Sequence, residues 1–378
     1  MTLKAGIGVA GCGLRAAAVL KPLLSRGDGV AVRAVYDPDP SAPERLASRL
    51  DAAPRRAESY AALLADPEVD WVFIFSWNCF HAEQAVAALA AGKHVFCEKP
   101  LGVTFEQCRD VVLAHRRAGT RFAIGFTLRY SPFYRRVKEL LPEAAGRLVS
   151  LEFNELLAFN HGGHIHSGWR RRARNSGGHI TEKCSHDFDM ANWMTGGRPV
   201  RAASFGGTGW FRPENAAAAR ELRPSARGVQ PYRAWWRPEE DRVDPFGGDN
   251  DVVDHQVAIL EYDNGVRASF HTNCNAGIPE RRLAVCGGAG GMRADLCRMT
   301  IETRRIGFDE WLRVESSDDR DGHGGGDEVM GAELYAAMTA GAPLSAGLEE
   351  AYAATVTGLA IERAMRTGTV VEVPGWPV

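Results

Sequence analysis

Two fold classes follow one another along this chain: an α/β part built on a doubly wound parallel sheet, then an α+β part with a large open, mostly antiparallel sheet. Three observations predict this. Short apolar runs alternate with helical patterns over the first third, as parallel strands joined by crossover helices require. A glycine-rich turn, Gly11-Cys12-Gly13, lies between the first run and the first helix. After Pro132–Leu141, itself a predicted helix, long strand-like runs appear with no helices between them.

In chain order, the first part reads as strands at Lys4–Ala10, Val30–Tyr36, Trp71–Phe75, His94–Cys97 and Arg121–Gly125. Each is short, rich in β-branched or aromatic residues, and bounded by turn formers. Helices are predicted over Arg15–Ser25, Pro43–Leu50, His81–Ala91 and Thr104–Ala118. In the second part, strands are expected at Leu148–Leu157, Val200–Gly207, Val253–Tyr262, Val266–Asn273 and Arg281–Cys286, with Asp263-Asn264-Gly265 as a hairpin turn. Residues 210–250 lack periodicity and read as a long surface insertion, a lid or a loop. Gly322–Gly326 reads as a flexible link before helices at Glu328–Thr339 and Leu348–Thr367. The expected division is 1–127 and 128–378.

Composition narrows the function classes. With 378 residues, 45% of them hydrophobic, the chain can bury a large core. A net charge of −2 carries no footprint for nucleic acid or anionic lipid. No run approaches the ~20 apolar residues of a membrane span, and the first residues show no leader pattern, so the expectation is a cytoplasmic protein. The eight cysteines form no C-x-x-C pair and read as small buried residues, with no metal site expected.

The stretch Gly11-Cys12-Gly13-Leu14-Arg15-Ala16 is G-x-G-x-x-A, opening a helix after a strand. Glycines permit a tight turn and close approach of backbone to a pyrophosphate, which the helix N-terminus stabilises. Asp37 ends the second strand, 24 residues after Gly13, near the spacing of roughly 20 for the acid that accepts ribose hydroxyls. Together they predict a Rossmann dinucleotide-binding domain with Gly11, Gly13, Leu14, Arg15 and Asp37 at the cofactor. A carboxylate there repels a 2′-phosphate, so NAD is expected and NADP less so. Ser76, Trp77, Asn78 and His81 after the third of these strands, and Glu98-Lys99-Pro100 after the fourth, lie where open parallel sheets bind ligands. The plain alternative for Glu98 and Lys99 is a solvated charge pair.

These motifs together resemble the Gfo/Idh/MocA family of NAD(P)-dependent oxidoreductases, and the resemblance runs over essentially the whole chain. It implies that Lys99 is the catalytic lysine, hydrogen-bonded to the reacting hydroxyl, and that Glu98 lies near the nicotinamide ribose. Trp77 departs from the family's usual segment start.

A second constellation spans Gly178 to Gly197, read as a helix from about Glu182 to Gly196. Under a 3.6 period Cys184, Phe188 and Ala191 form an apolar stripe, and Glu182, His186, Asp189 and Trp193 a polar one. That polar stripe is a solvated face, or a histidine base oriented by a carboxylate. The family usually carries D-x-x-x-H here. By that likeness His186 is the acid/base, Glu182 orients it, and the adjacent Lys183 is a further proton-handling candidate. Arg129-Tyr130-Ser131-Pro132 resembles the family's R-Y-x-P segment near the substrate. His164, Trp169 and Arg170, from the histidine-glycine and arginine-rich run 161–174, are substrate candidates, their alternative being a basic surface loop. If functional, Arg170–Arg174 suits an anionic group. Asp254 and Gln256 are further sugar-contact candidates.

The resulting expectation is oxidation of a secondary alcohol of a sugar, polyol or glycoside, or reduction of the matching ketone, by a homodimer or homotetramer. Two rivals stand beside it: an NAD-retaining glycosidase working by transient oxidation and elimination, and a non-catalytic dinucleotide or sugar sensor.

Overall fold

The computed structural model describes residues 5–233, 243–308, 312–316 and 324–378. The chain forms two compact units: one of Met1–Arg135, Asp321–Ala353 and Trp376–Val378, the other of Arg136–Arg320 and Ala354–Gly375. A single division at 127/128 therefore misses the return of the chain to the first unit.

The first unit holds β1 (Ala5–Ala10), α1 (Leu14–Leu24), β2 (Val30–Tyr36), α2 (Ala42–Leu50), β3 (Arg55–Arg56), α3 (Tyr60–Ala65), β4 (Trp71–Ile74), α4 (Asn78–Ala90), β5 (His94–Cys97), α5 (Phe105–Ala118) and β6 (Phe122–Ile124). All six strands run parallel in the order β3-β2-β1-β4-β5-β6. The order reverses between β1 and β4, and the carboxyl ends of β1, β4 and β5 run into Gly11–Gly13, Ser76–Asn78 and Glu98–Lys99. That is where such sheets bind ligands. β3 and α3 add to the expected elements; an exposed two-residue strand has no period to read.

The next helix along the chain, α6 (Pro132–Ala145), runs from the first unit into the second. The second unit contains β7 (Leu148–Ala158), α7 (Phe159–Ser167), α8 (Ala173–Ser176), α9 (His179–Thr195), β8 (Pro199–Gly207), α10 (Ala216–Arg220), β9 (His255–Tyr262), β10 (Arg267–Ala276), β11 (Arg282–Gly287), β12 (Gly290–Asp295), β13 (Thr300–Arg305) and β14 (Arg313–Ser316). Back in the first unit, α11 (Gly326–Ala340) packs on α1, where a Cβ on Gly331 would stand 2.8 Å from Pro22. Residues 322 and 323 of the expected link lie outside the described residues; Gly326 already opens α11. α12 (Leu348–Thr367) and β15 (Val371–Glu372) follow.

The second sheet runs β14-β13-β12-β11-β7-β10-β9-β8-β15. Every neighbouring pair is antiparallel except β7 with β10. The Asp263-Asn264-Gly265 turn joins β9 to β10 as expected, with Gly265 at φ +88°. One face is covered by α9 through Phe188, whose ring meets those of Phe153 and Phe270 at 6.1 and 5.1 Å. On the other face Phe205, Val257 and Ile259 are exposed.

Two expectations are corrected here. Residues 210–250 are not merely a surface insertion: Phe211, Tyr232 and Phe246 are buried with Leu157, Ile165, Val252 and Cys274 in one cluster. The run lacks a period because its aromatics contribute from irregular backbone. Its residues 234–242 lie outside the described residues. The cysteines are all free, but Cys286 on β11 and Cys297 in the turn after β12 are exposed. No helix among the described residues is long and apolar enough to cross a membrane.

Phe188 is fully buried at the centre of this packing. Phe188→Ala is expected to cost about 3–5 kcal/mol, read as a lowered urea midpoint in the unfolding of the second unit.

Candidate active site

In the first unit, the glycine turn explains itself by contact. Gly11 has φ +90°, and a Cβ there would lie 2.6 Å from the Phe75 carbonyl carbon and from Ser76 N. Gly13 caps α1 in extended conformation, and a Cβ on it would meet no protein atom within 4 Å. Neither a side-chain cap nor a first-turn acid occupies the start of α1. The first N–H groups of the helix, beginning at the half-buried Leu14, thus have no capping side chain. Asp37, half-buried, accepts from Cys12 N at 2.7 Å and from Asp39 N at 2.9 Å, tying the turn to the end of β2. The nearby Arg45 is turned to Asp39, at 2.7 Å, and to Ser41.

Arg15 is used differently from the expectation. Its guanidinium donates to Glu98 Oε1 at 2.5 Å, Asp327 Oδ1 at 2.8 Å and Thr127 Oγ1 at 2.6 Å. Burial works against this charge, but Glu98 and Asp327 outweigh it and hold Arg15 firmly protonated. Glu98 is no solvated charge: it is 7% exposed, and its Oε2 accepts from Lys99 N at 3.1 Å. Gly125 makes room for it, since a Cβ there would stand 2.7 Å from Oε1. The Lys99–Pro100 peptide is cis and Lys99 is half-buried.

His81 is buried between two carbonyls, Nδ1 at 2.7 Å from Pro100 O and Nε2 at 3.0 Å from Ser76 O. Burial lowers its pKa, and a neutral ring donates to one of the two. Lying between these two carbonyls, the His81 ring fills the space between the ends of β4 and β5. Ser76 Oγ donates to Gln84 at 2.7 Å, Asn78 is buried at the start of α4, and Trp77 is 46% exposed just before it. Arg129 and Tyr130 pack within this unit: Arg129 reaches the Ser345 carbonyl at 3.4 Å, and Tyr130, 1% exposed, donates to Glu333 at 3.2 Å.

In the second unit α9 begins three residues earlier than expected. Gly177 and Gly178, at φ +85° and +91°, end α8 and launch it, and Gly196 at φ +66° stops it as expected. The predicted polar stripe is not solvated: Glu182, His186 and Asp189 are 8%, 5% and 1% exposed. Only Trp193 lies partly open, where Lys138 Nζ donates to its carbonyl at 2.6 Å. The Glu182 carboxylate accepts from Arg170 Nε at 2.9 Å, and that guanidinium lies 4.3 Å from the centre of the Trp169 ring. Lys183 Nζ stands 3.4 Å from Glu155.

Residues 159–167 are helix, not a glycine loop. Cβ atoms on Gly162 and Gly163 would fall 1.9 Å from the carbonyl oxygens of Cys274 and Tyr232, so these glycines serve backbone contact. His164 and His166 are buried on this helix, His166 stacked on Phe211 at 4.2 Å. The arginine run is sorted by its partners: Arg170 to Glu182, Arg171 and Arg172 to Asp249. Three guanidinium groups of the run considered as an anion site are thus already turned to carboxylates of their own unit. Asp254 accepts the N–H groups of Gly209, Trp210 and Phe211 and so anchors that loop, while Gln256 donates to Ser204.

Two family models match this chain: "Oxidoreductase family, NAD-binding Rossmann fold" over residues 5–126 and "GFO/IDH/MocA C-terminal domain" over 134–293. The chain belongs to the Gfo/Idh/MocA oxidoreductase family. Among family relatives, the oxidoreductase YteT of Bacillus subtilis is 24% identical over 374 residues, covering 86% of this chain and 87% of its own. Inositol 2-dehydrogenase 2 of Saccharopolyspora erythraea is 34% identical over 200 residues, 52% of this chain and 56% of its own. A levoglucosan dehydrogenase solved with NADH and levoglucosan shares the fold, with TM-score 0.80 and 19% identity over 98% of this chain and 100% of its own.

Sequence reading misses Thr127, Asp327, Glu155 and Asp249, which hold the expected site residues but belong to no motif. It also misses the burial of His166 and His179. Burial depresses His166 from 6.5 to about 3 and His179, whose Nε2 is 2.9 Å from Thr272 Oγ1, to about 4. Both stay neutral in the folded unit while the unfolded chain protonates them near 6.5. Below that pH the unfolded state binds more protons, so stability is complete above it and is lost as pH falls toward about 4. The thermal midpoint of the second unit is expected to drop between pH 7.5 and 5, and His166→Phe, which keeps the stack on Phe211, to drop less. Parallel slopes for the two proteins would contradict this.

Proposed function

We propose that this oxidoreductase uses NAD to oxidise a secondary alcohol of a sugar, polyol or glycoside, or to reduce the matching ketone. The observation that carries the reading is the open start of α1 at Gly13 beside Asp37, with Lys99 held at the end of β5. The residues present fit a dinucleotide: the N–H groups of Gly13, Leu14 and Arg15 offer a pyrophosphate site, and Asp37 offers acceptors for ribose hydroxyls. When bound, NAD supplies the hydride acceptor at its nicotinamide.

The chain's own residues do the rest. Lys99 donates to the reacting oxygen and polarises it; Glu98 fixes the backbone of Lys99 and is itself held by Arg15. His186 removes the hydroxyl proton, as the family likeness implies. Glu182, turned to Arg170 at 2.9 Å, shapes the helix face that carries His186, and Trp169 and His164 line the carbohydrate. With Arg170, Arg171 and Arg172 each on a carboxylate, a neutral substrate is favoured over an anionic one. The homo-oligomer implied by the family likeness has a place on the outer sheet face, where Phe205, Val257 and Ile259 are exposed.

Two measurements test this. Titrated by intrinsic fluorescence, NAD is expected to bind at least about tenfold more tightly than NADP, equivalent to ~1.4 kcal/mol. Arg45 is occupied by Asp39 and Ser41, and tighter NADP binding would sink the assignment. Second, the protein is offered myo-inositol, levoglucosan, free sugars and nitrophenyl glycosides with NAD. Stoichiometric NADH is expected, and Lys99→Ala or His186→Ala should lower turnover about 10²–10⁴-fold while NAD still binds. Phenol release at catalytic NAD without accumulating NADH would instead establish the glycosidase.

A further inference from the structure

We infer that Glu155 is a positioning residue: with Arg281 and Asp187 it holds the Lys183 ammonium one helical turn before His186, as a cation that binds a substrate hydroxyl. The inference rests on the proposed role of His186 with a carbohydrate.

Glu155 occupies a place where a strand would ordinarily carry an apolar side chain. Along β7 it alternates with Leu151, Phe153 and Leu157 on the covered face, and all four are buried. A carboxylate at such a position is costly unless paired, and an apolar residue of similar size would serve packing as well or better. Its two oxygens are divided. Oε1 lies 3.4 Å from Lys183 Nζ, and Oε2 lies 2.7 Å from Arg281 Nε. Arg281 in turn forks onto Asp187, Nε to Oδ1 at 2.9 Å and Nη2 to Oδ2 at 2.8 Å.

Lys183 and Asp187 are four residues apart on α9, so the chain of charges leaves the helix and returns to it one turn on. Two cations and two anions close the loop without net charge. Side-chain exposure is 6% for Glu155, 7% for Arg281, 5% for Asp187 and 17% for Lys183, so the open end of the chain is the lysine. The 3.4 Å separation exceeds ordinary N–H···O hydrogen-bond length. The ammonium is thus held in place electrostatically, and an ammonium can donate to an acceptor such as a hydroxyl oxygen. Three residues separate it from His186, which places both on one side of the helix.

The test compares wild type with Glu155→Gln and Glu155→Asp, each checked for fold by circular dichroism and for NADH binding. Reductive dimethylation at fixed pH, read by peptide mass spectrometry, gives the labelling rate of Lys183 relative to Lys138, a lysine of the same unit that is fixed elsewhere. The ratio is expected to rise roughly fivefold or more in Glu155→Gln, once the charge that pins Lys183 is gone, and to return partway in Glu155→Asp. An unchanged ratio in Glu155→Gln overturns the inference. If that variant does not fold, Glu155→Asp decides in the same way, a raised ratio supporting it and a wild-type ratio overturning it. This readout needs no turnover, so it stands apart from failure of the redox reading, which would show as no NADH from any compound of the panel. With a compound that is oxidised, Glu155→Gln should lower kcat/KM about 10²-fold through misplacement of Lys183, and Glu155→Asp should recover much of it. Wild-type kcat/KM in Glu155→Gln would also overturn the inference.

Discussion

The ion pair between Arg15 and Glu98 organises the first unit's functional end. Arg15 belongs to the first turn of α1, and Glu98 to the end of β5, with two strands of the sheet order separating β5 from β2. Joining them sets the glycine turn against the segment that carries Lys99. The two carboxylate oxygens of Glu98 have different partners, one the guanidinium at 2.5 Å and the other the Lys99 N–H at 3.1 Å. Thr127 and Asp327 complete the fork. A buried carboxylate is tolerated only when paired, and the same carboxylate that Arg15 holds also fixes the backbone N–H of Lys99.

The second unit repeats this logic on a helix. α9 is buried on nearly every side, which is possible because its charges are answered by neighbours: Glu182 by Arg170, Lys183 by Glu155, Asp187 by Arg281. Glycine enters as space and not as flexibility. At Gly162 and Gly163 it lets α7 touch the backbone at Cys274 and Tyr232, beside the buried Phe211 and Phe246.

Much of the fold is legible in the sequence where a local rule is strong. β2, β5 and α12 match the expected bounds, since alternation, helical periodicity and turn residues agree there. Weak or absent periods hide β3, α3 and the strands from β12 onward. Of the site, the G-x-G-x-x-A turn, Asp37 and the E-K-P segment are readable because their spacing encodes their chemistry. The polar stripe on α9 is a stripe, as its period says, but it is buried and not solvated, because a helical wheel gives direction and says nothing of what lies opposite.

Local pattern therefore determined the fold class, the family and the candidate residues for the chemistry. Tertiary structure alone decided what those residues do with their polar atoms. Arg15, His81 and Tyr130 look like ligand contacts in the sequence and are engaged within their own unit, while Glu155, Thr127, Asp249 and Asp327 carry no motif and pair with residues the sequence singled out. The reason is that the worth of a charge or hydrogen bond depends on burial and on partners, and here these come from residues as far apart as Arg15 and Asp327.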